Sequence, residues 1–311
     1  MFITRLLVTE MKISWQVKVE SPEKIWTFLY QKGVSRTLLK DVKFHGGNIE
    51  LNQNEVRASE EVVTGDELTL TLPPEITNDH VAVSSEPIEI CYEDDHFLVV
   101  NKPAYMATVP SHVYSNDTLV NRVKGYYQRQ KYESQVTHVV TRLDRDTSGL
   151  VIFAKHHFAH SVLDRELKEH QIKKIYTAVV MGHLPQKHGL IDLPISRDPG
   201  SFIRRQVSAE SDGRRSVTEY WVVKALRDAS LLRVQLHTGR THQIRVHFSA
   251  LGHPLVGDVL YGGSCSGYMQ RQALHCASIS FFNPFTNRQV KVMAPLPKDL
   301  AAYLEQETRK L

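Results

Sequence analysis

One carboxylate, Asp144, lies between Arg142 and Arg145 in the segment TRLDRDTSGL, residues 141–150. A nearby positive charge favours the ionised form of a carboxyl group. An ionised carboxylate held in a partly dry site can act as a nucleophile, as a general base or as a charge-stabilising group. The segment therefore predicts a catalytic aspartate. A structural Asp in an arginine-rich turn is the alternative.

A tyrosine stands in a second segment, KKIYTAVV, residues 173–180. The alternation of side chains there predicts a β-strand. The ring of Tyr176 could stack on a planar ligand, and its hydroxyl could accept or relay a proton. A core tyrosine on a strand is the alternative, because aromatic residues are common in strands.

A third segment, LHTGRTHQIRVH at residues 236–247, predicts the start of a helix. Thr241 is the expected N-cap, apolar residues repeat at helical spacing from Ile244 onward, and Gly252 is the expected end. Arg240 would lie at the helix start, where backbone amides also favour anions such as phosphate. The segment therefore predicts an anion-binding helix terminus.

Three histidines recur at five-residue intervals in and beside this helix, at His237, His242 and His247. Residues five apart do not share one face of a helix, so a zinc site is not predicted. We interpret these histidines as polar surface or as RNA contacts.

The composition of the 311-residue chain is that of a globular protein, with 41% apolar and 23% charged residues. Its length fits about two domains. No apolar stretch approaches the roughly 20 residues of a membrane span, and the short apolar start, residues 1–8, does not form an export signal. The spacing of the three cysteines fits no metal or disulfide framework, which favours a reducing cytoplasm.

Positive charge is concentrated in the C-terminal part of the chain. Residues 1–80 carry 9 Lys and Arg against 12 Asp and Glu, and residues 81–311 carry 29 against 22. A polyanion would therefore bind mainly to the C-terminal part. Ordinary surface charge is the alternative.

The order of elements predicts an α+β protein with three parts. Residues 1–76 form a small N-terminal module, with a helix from Ser21 to Gly33 and another after Ser35; residues 77–88 are a linker; residues 89–311 form the larger domain. In the larger domain, strands and helices alternate without a regular βαβ rhythm, and the apolar run at 150–154 predicts a buried strand.

The three segments, in this order, resemble the signature regions of the RluA family of RNA pseudouridine synthases. The resemblance extends over about residues 90–295 and implies that Asp144 is the catalytic nucleophile or base, that Tyr176 is the active-site tyrosine, and that Arg245 pairs with Asp144. Thr141 stands where a histidine is common in the family, at a position that is not the nucleophile.

The segment VVNKPA, residues 99–104, also resembles the family and implies a binding role for Lys102. The loop that follows, residues 105–110, departs from the usual glycine-rich form, so substrate choice could differ. The other expected substrate-binding residues are Arg142, which would fill the space left by a flipped uridine, with Arg240 and Ile244. Candidate phosphate contacts are Arg197, Arg204, Arg205, Arg214 and Arg215.

The resemblance implies a pseudouridine synthase core with a long, mostly antiparallel mixed sheet and a central cleft. The N-terminal module resembles the small RNA-binding module of the ribosomal protein S-four superfamily, although that module is usually basic and this one is acidic. Residues Lys32, Arg36, Lys40 and Lys43 could form a local basic face.

The implied activity is isomerisation of specific uridines to pseudouridine in RNA, with large-subunit ribosomal RNA as the first expected substrate and transfer RNA as the second. An isomerisation needs no cofactor and no metal, and we expect a cytoplasmic monomer with no membrane partner. Two alternatives stay open: a non-catalytic RNA-binding protein, or a nucleoside or glycoside hydrolase that pairs Asp144 with a second carboxylate such as Asp146.

Overall fold

The computed structural model describes residues 11–77, 80–208 and 213–309. The strands in these ranges are β1 Lys12–Gln16, β2 Glu23–Lys24, β3 Asn48–Leu51, β4 Asn54–Glu55, β5 Glu61–Val62, β6 Glu67–Thr71, β7 Glu89–Glu93, β8 Phe97–Lys102, β9 His138–Val139, β10 Ser148–Ala154, β11 Lys173–Met181, β12 His188–Asp192, β13 Ile195–Arg197, β14 Arg205–Val207, β15 Val217–Ala225, β16 Ala229–Leu236, β17 Leu274–Asn283 and β18 Arg288–Met293. The helices are α1 Ile25–Gln31, α2 Arg36–Phe44, α3 Leu119–Gln130, α4 His157–Lys168, α5 Gln243–Ala250 and α6 Lys298–Arg309, with a short 3-10 helix at Val259–Tyr261.

The first six strands and two helices pack around a core of their own. Four strands form a sheet in the order β1-β6-β3-β4, and β2 pairs with β5. Helix α2 begins as expected, because the Ser35 side chain accepts a hydrogen bond from the backbone of Leu38. Helix α1 begins later than expected, at Ile25, because residues 23–24 pair with β5 as a strand.

The larger part of the chain is built on one mixed sheet. Its strand order is β12-β15-β16-β11-β17-β10-β8-β7, with β18 beside β17 and β9 beside β10. The pairing of β10 with β17 is parallel, and the other pairs in this sheet are antiparallel. The expectation of an α+β protein with a long, mostly antiparallel mixed sheet is confirmed.

The two halves of this sheet meet at a short seam between β10 and β17. All seven residues of β10 are buried, as its apolar run predicted. The parallel register joins Ser148 to His275 and Gly149 to Cys276. A Cβ atom on Gly149, whose φ is +114°, would lie 2.3 Å from the carbonyl oxygen of Cys276, so only glycine fits this close approach.

Helix α4 joins the N-terminal elements to the large sheet. Its Phe158 and Val162 are buried in the apolar core of the first six strands. Trp15 packs edge-to-face on Phe158, with ring centroids 6.0 Å apart. The Ser161 hydroxyl donates to the carbonyl of Gly33 at 2.7 Å. We call this contact the module junction; it packs the N-terminal elements directly on the larger part.

The segment predicted to be a linker also lies against the larger part where the structure describes it. The side-chain amide of Asn121, on α3, donates to the carbonyl of Ala82 at 2.7 Å, and the Asn121 carbonyl accepts from the backbone of Ser84 at 3.1 Å. The predicted domain boundaries at 76 and 89 stay a prediction. Among the described residues, no helix has the length and apolar character that crossing a membrane requires.

Candidate active site

An open cleft of about 990 Å³ lies beside the seam of the large sheet. Its walls come from the loop before β10, from β11, from the start of β17 and from the segment that leads into α5. Asp144, Tyr176 and Arg245 all line it, although they are far apart in sequence. Arg142, Arg240 and Ile244 line it as well. The structure thus brings together the three expected catalytic residues and three of the four expected binding residues.

The loop that carries Asp144 is fastened to the loop after β8. The Thr108 hydroxyl donates to the Leu143 carbonyl at 2.8 Å and accepts from the Leu143 amide at 3.2 Å. The Lys102 ammonium donates to the carbonyls of Pro103 and Met106, both at 2.8 Å, and to that of Arg145 at 3.0 Å. These contacts fix the backbone on both sides of Asp144.

Lys102 lies beneath the cleft and does not line it. Its side chain is fully buried, and all three ammonium contacts are with backbone carbonyls. Burial and the nearby Arg271 guanidinium lower the pKa of Lys102 to about 7, although the carboxylates of Asp144 and Asp146 oppose that shift. The expected contact between Lys102 and substrate is not available in this arrangement, because the ammonium is enclosed by the loop that it supports.

Arg245 connects Asp144 to a second, buried carboxylate. From α5 its guanidinium donates to Asp144 Oδ2 at 3.1 Å. The other edge of the guanidinium donates to both oxygens of Asp258, at 2.7 and 2.8 Å. Asp258 is 1% exposed, so this forked pair is shielded from water. The geometry holds the guanidinium plane in place and leaves one nitrogen directed at Asp144.

The charge on Arg245 is secured by its two partners. Burial alone would lower the pKa of Arg245, but hydrogen bonds and charge from Asp258 and Asp144 raise that pKa above its ordinary value. Arg245 therefore stays cationic at every pH at which the protein is folded. Removing Arg245 would leave the Asp258 carboxylate buried without a counter-charge, which is costly.

The arginines next to Asp144 in sequence are not its ion-pair partners. Arg145 pairs with Asp146 at 3.0 Å and lies over the ring of Tyr114, 5.3 Å from its centroid. Arg142 is exposed, and it makes no hydrogen bond or ion pair with any residue in the described ranges. The charge that sequence proximity assigned to these neighbours is supplied by Arg245, 101 positions away.

Tyr176 forms part of the cleft wall and is 5% exposed. Burial raises the pKa of its hydroxyl well above the ordinary value, and the nearby Asp144 carboxylate adds to this. The phenol therefore stays neutral, which makes it a weak proton acceptor. Its position favours packing of the ring against a base over abstraction of a proton.

A histidine that the sequence assigned to polar surface or to RNA contact lines the cleft. His242 Nε2 lies 3.7 Å from Asp144 Oδ2, and its Nδ1 is 2.8 Å from the hydroxyl of Tyr261. That hydroxyl also accepts from the backbone amide of Arg205 at 2.9 Å. If Tyr261 donates its proton to Nδ1, the imidazole proton lies on Nε2 and faces Asp144. Burial lowers the pKa of His242, while Asp144 opposes that shift.

Of the interpretation of the three histidines as polar surface or as RNA contacts, the polar-surface part is wrong for His242 and His247, while RNA contact by His242 stays a prediction. His247 is fully buried, and its ring nitrogens contact the Thr218 hydroxyl and the Leu193 carbonyl. His237 is partly exposed and pairs with Glu219 at 2.8 Å. The expected N-cap at Thr241 is also wrong: α5 begins after His242, whose φ of +58° turns its ring towards Asp144.

The remaining cleft residues supply apolar contact and positive charge. Ile244 is 3% exposed and adjoins Arg245. Arg240 is exposed, and its side chain donates to the carbonyl of Arg215 at 3.3 Å. Six Lys or Arg side chains line the cleft among the described residues, at Arg142, Arg145, Lys168, Lys174, Arg240 and Arg245.

Asp144 is the one carboxylate among the described residues that line the cleft. Asp146 pairs with Arg145, and Asp258 is occupied by Arg245. A hydrolase that uses a pair of carboxylates needs both of them beside the bond to be cleaved. The cleft does not offer that pair, so the geometry argues against the hydrolase alternative. Within the described ranges, no group of three or more His, Cys, Asp or Glu side chains is arranged to hold a metal ion.

Comparisons with known proteins agree with this geometry. The family model for RNA pseudouridylate synthase matches residues 96–250. An uncharacterized RNA pseudouridine synthase of Bacillus subtilis, YjbO, is 42% identical over 275 residues, which are 88% of this chain and 96% of that protein. The ribosomal large subunit pseudouridine synthase D of Zymomonas mobilis is 41% identical over 228 residues, which are 69% of this chain and 71% of that protein.

A solved human structure shares the fold. Human RNA pseudouridylate synthase domain containing 1 is 26% identical in sequence and superimposes with a TM-score of 0.58, covering 73% of this chain and 97% of that one.

Proposed function

The chain belongs to the RNA pseudouridylate synthase family, whose members are isomerases, and from this premise we propose that Asp144 carries the reaction on uridines of large-subunit ribosomal RNA. The resemblance to the RluA family is confirmed, and RNA is the substrate class. The observation that carries the proposal is the ion pair between Asp144 and Arg245, at 3.1 Å, in a cleft with six cations and one carboxylate.

The reaction moves uracil from one attachment to another on the same ribose. The bond from N1 to C1′ breaks, the ring turns, and C5 bonds to C1′; the C5 proton then leaves and N1 gains a proton. Arg245 and His242 both approach Asp144 Oδ2, and Oδ1 accepts no hydrogen bond from any residue in the described ranges. Oδ1 is therefore the oxygen that is free to attack the sugar or the base, or to remove a proton.

The flipped uridine would pack between the ring of Tyr176 and the side chain of Ile244. Base flipping costs a few kcal/mol of unstacking, which contacts in the pocket must offset. Exposed Arg142 is the candidate to occupy the space that the base leaves, and Arg240 is a candidate phosphate contact at the start of α5. Further candidate phosphate contacts lie on or next to β13 to β15, at Arg197, Arg204, Arg205, Arg214 and Arg215. Of these, Arg204 pairs with Asp198 and Arg215 pairs with Asp192.

Large-subunit ribosomal RNA is proposed because the Zymomonas mobilis relative is named for that substrate. Lys32, Arg36, Lys40 and Lys43 are exposed on and beside α1 and α2, and we propose that this face of the N-terminal module adds an RNA contact. A cytoplasmic monomer stays our expectation.

The test is a pseudouridine map of ribosomal and transfer RNA from cells with and without the gene, read by carbodiimide-dependent primer-extension stops. We expect one or more large-subunit sites to disappear on deletion. The wild-type gene should restore them, Asp144→Asn should not, and Asp146→Asn, the matched control in the same loop, should restore them.

Other outcomes would redirect the proposal. If sites disappear only from transfer RNA, then transfer RNA is the substrate in place of ribosomal RNA. Restoration by Asp144→Asn would remove Asp144 from its role. An unchanged map would favour the RNA-binding alternative, which crosslinking would then examine.

A further inference from the structure

Lys174 places an ammonium in the cleft without a counter-charge. It lies on β11, lines the cleft and is partly buried. Its side chain makes no hydrogen bond or ion pair with any residue in the described ranges. By contrast Arg245, in the same cleft, contacts two carboxylates. The reaction as described above makes no use of Lys174.

The surroundings of Lys174 disfavour its charge. Burial lowers the pKa of Lys174. The neighbouring Cys276 supplies no counter-charge near neutral pH, because burial raises the pKa of its thiol to about 12. Leaving a buried ammonium without a partner costs free energy. A ligand that supplies an acceptor would recover part of that cost. The ligand of this cleft therefore needs an oxygen acceptor at the Lys174 end.

Space for such a ligand exists opposite the ammonium. A Cβ atom built on Gly239 would lie 3.5 Å from Lys174 Nζ, so the glycine leaves the ammonium open to the cleft. Lys174 and Gly239 both line the cleft, so the ammonium is beside the space that a bound ligand would fill.

Asp144, Tyr176 and Lys174 all line the cleft. Lys174 and Tyr176 are two residues apart on one strand, so their side chains share a face about 6.6 Å apart. Tyr176 is close enough to Asp144 for that carboxylate to raise its pKa, and Lys174 is the next side chain on the same face of β11.

We propose that Lys174 donates a hydrogen bond to the C4 carbonyl oxygen of the flipped uracil. The inference rests on the proposed function, because it takes uridine as the substrate. In uracil, the C4 oxygen lies at the end of the ring opposite the bond to C1′. With C1′ at Asp144 and the ring on Tyr176, that oxygen points towards Lys174.

This contact would serve both selection and chemistry. Cytosine carries an amino group at C4, which is a hydrogen-bond donor. Two donors cannot form a hydrogen bond with each other, so the ammonium favours uracil over cytosine. When the bond from N1 to C1′ breaks, its electron pair stays with the ring and is shared by N1 and the carbonyl oxygens at C2 and C4. An ammonium at the C4 oxygen stabilises that negative charge as it develops.

The experiment combines a protein change with a one-atom change in the RNA. Wild type, Lys174→Met and Lys174→Arg are compared under single turnover on a fragment of large-subunit ribosomal RNA that holds the mapped uridine. The same fragment is also made with 4-thiouridine at the target, because sulfur is a weaker acceptor than oxygen. Nucleosides from the digested RNA are separated by chromatography. Lys173→Met, at the exposed neighbouring position, is the matched control.

We expect Lys174→Met to slow the wild-type reaction by roughly 10- to 100-fold on uridine, as for a lost hydrogen bond to a charged group. The sulfur substitution should slow wild type strongly and should slow Lys174→Met little, since the contact is already gone. Lys174→Arg should keep part of the rate, and Lys173→Met should match wild type.

An equal sulfur effect in wild type and in Lys174→Met would overturn the contact, even if the variant is slower for another reason such as weaker folding. A Lys174→Met variant with the wild-type rate would overturn it as well. A wild-type enzyme that converts no uridine in any of these RNAs would instead overturn the proposed function, and the contact with it.

Discussion

The cleft and the module junction hold their elements together by different means. In the cleft, Arg245 contacts two carboxylates and the Lys102 ammonium is enclosed by three carbonyls. At the junction, Phe158 and Val162 are buried among apolar side chains of the N-terminal module. Charge pairing fixes the orientation of the paired side chains, which a reacting carboxylate needs. Apolar packing holds two elements close together without fixing the orientation of a polar group. In the cleft, a substitution should therefore change both stability and activity. At the junction, a substitution should change stability and leave activity as it is.

Replacing Arg245 should have the largest effect and should change both properties. Arg245→Met leaves Asp258 buried without a counter-charge, so the free energy of unfolding should fall by about 3–5 kcal/mol. The single-turnover rate should fall by roughly 100-fold or more, because Asp144 loses its charge-assisted hydrogen bond. Denaturant titration and rate assays on the same preparation measure both. Arg245→Lys keeps a positive charge but cannot contact both oxygens of Asp258 with two nitrogens. Compared with Arg245→Met, it should regain a larger share of the unfolding free energy than of the rate.

Truncating Phe158 should separate the two properties. Phe158→Ala removes a ring from the module junction and should lower the free energy of unfolding by about 3 kcal/mol. The rate per folded molecule should stay close to that of wild type, because Phe158 does not line the cleft. Phe202→Ala, at a position that is 97% exposed, is the stability control. A rate loss in Phe158→Ala that folding does not explain would mean that the junction positions the site.

Acid should weaken the protein through a histidine at the start of α4. Burial and the neighbouring His96 lower the pKa of His156 to about 3. Between about pH 6.5 and pH 3, His156 is protonated in the unfolded chain but stays neutral in the native state. The free energy of unfolding therefore falls as the pH falls, by up to about 1.4 kcal/mol per pH unit.

The change His156→Asn should flatten that dependence. Asparagine can still cap α4, where His156 Nδ1 now accepts from the backbone of Ala159. Urea titrations at pH 4.5 and pH 7 measure the difference in unfolding free energy. Exposed His170→Asn is the control. An unchanged slope in His156→Asn would show that other groups cause the acid sensitivity.

The smallest effect is expected at the exposed cations of the cleft. Arg240→Gln should reduce the slope of log affinity against log salt by about 0.7, as for one phosphate contact on single-stranded RNA, with stability unchanged. Filter binding at several salt concentrations measures that slope. Arg227→Gln, on the turn between β15 and β16, should leave it unchanged. An equal slope in both variants would assign Arg240 to the solvated surface.

Sequence reasoning succeeded where the pattern is local or is carried by a family motif. The apolar run of β10 predicted its burial, and the alternating segment around Tyr176 predicted β11. The pairing of Arg245 with Asp144 followed from the family resemblance and agrees with the contact in the structure. No spacing rule could have produced that pair, because its members are 101 positions apart.

The residues that were missed act through contacts that no local pattern records. Asp258 and Tyr261 lie around a short 3-10 helix and reach the site only because α5 packs beside it. The spacing of His242 excluded a zinc site but said nothing about its left-handed backbone, which turns the ring inward. Lys102 was predicted to bind substrate from the family resemblance of residues 99–104. The sequence does not show that its ammonium is enclosed by backbone carbonyls.

The seam between β10 and β17 has a consequence for the order in which the protein assembles. Ser148 and His275 are 127 positions apart, so pairing them closes a long loop at a high entropic cost. On one side of the seam, β8 and β10 pair residues that are nearer in sequence, such as Lys102 with Gly149, so that pairing should come earlier. On the other side, β11 and β17 also pair residues far apart in sequence, such as Lys173 with Ser280, so that pairing should form together with the seam. We expect the seam to close late in folding. Because the cleft exists only after that step, a folding intermediate with only the earlier strand pairs formed should be inactive, and activity regained during refolding should lag behind the return of β-structure.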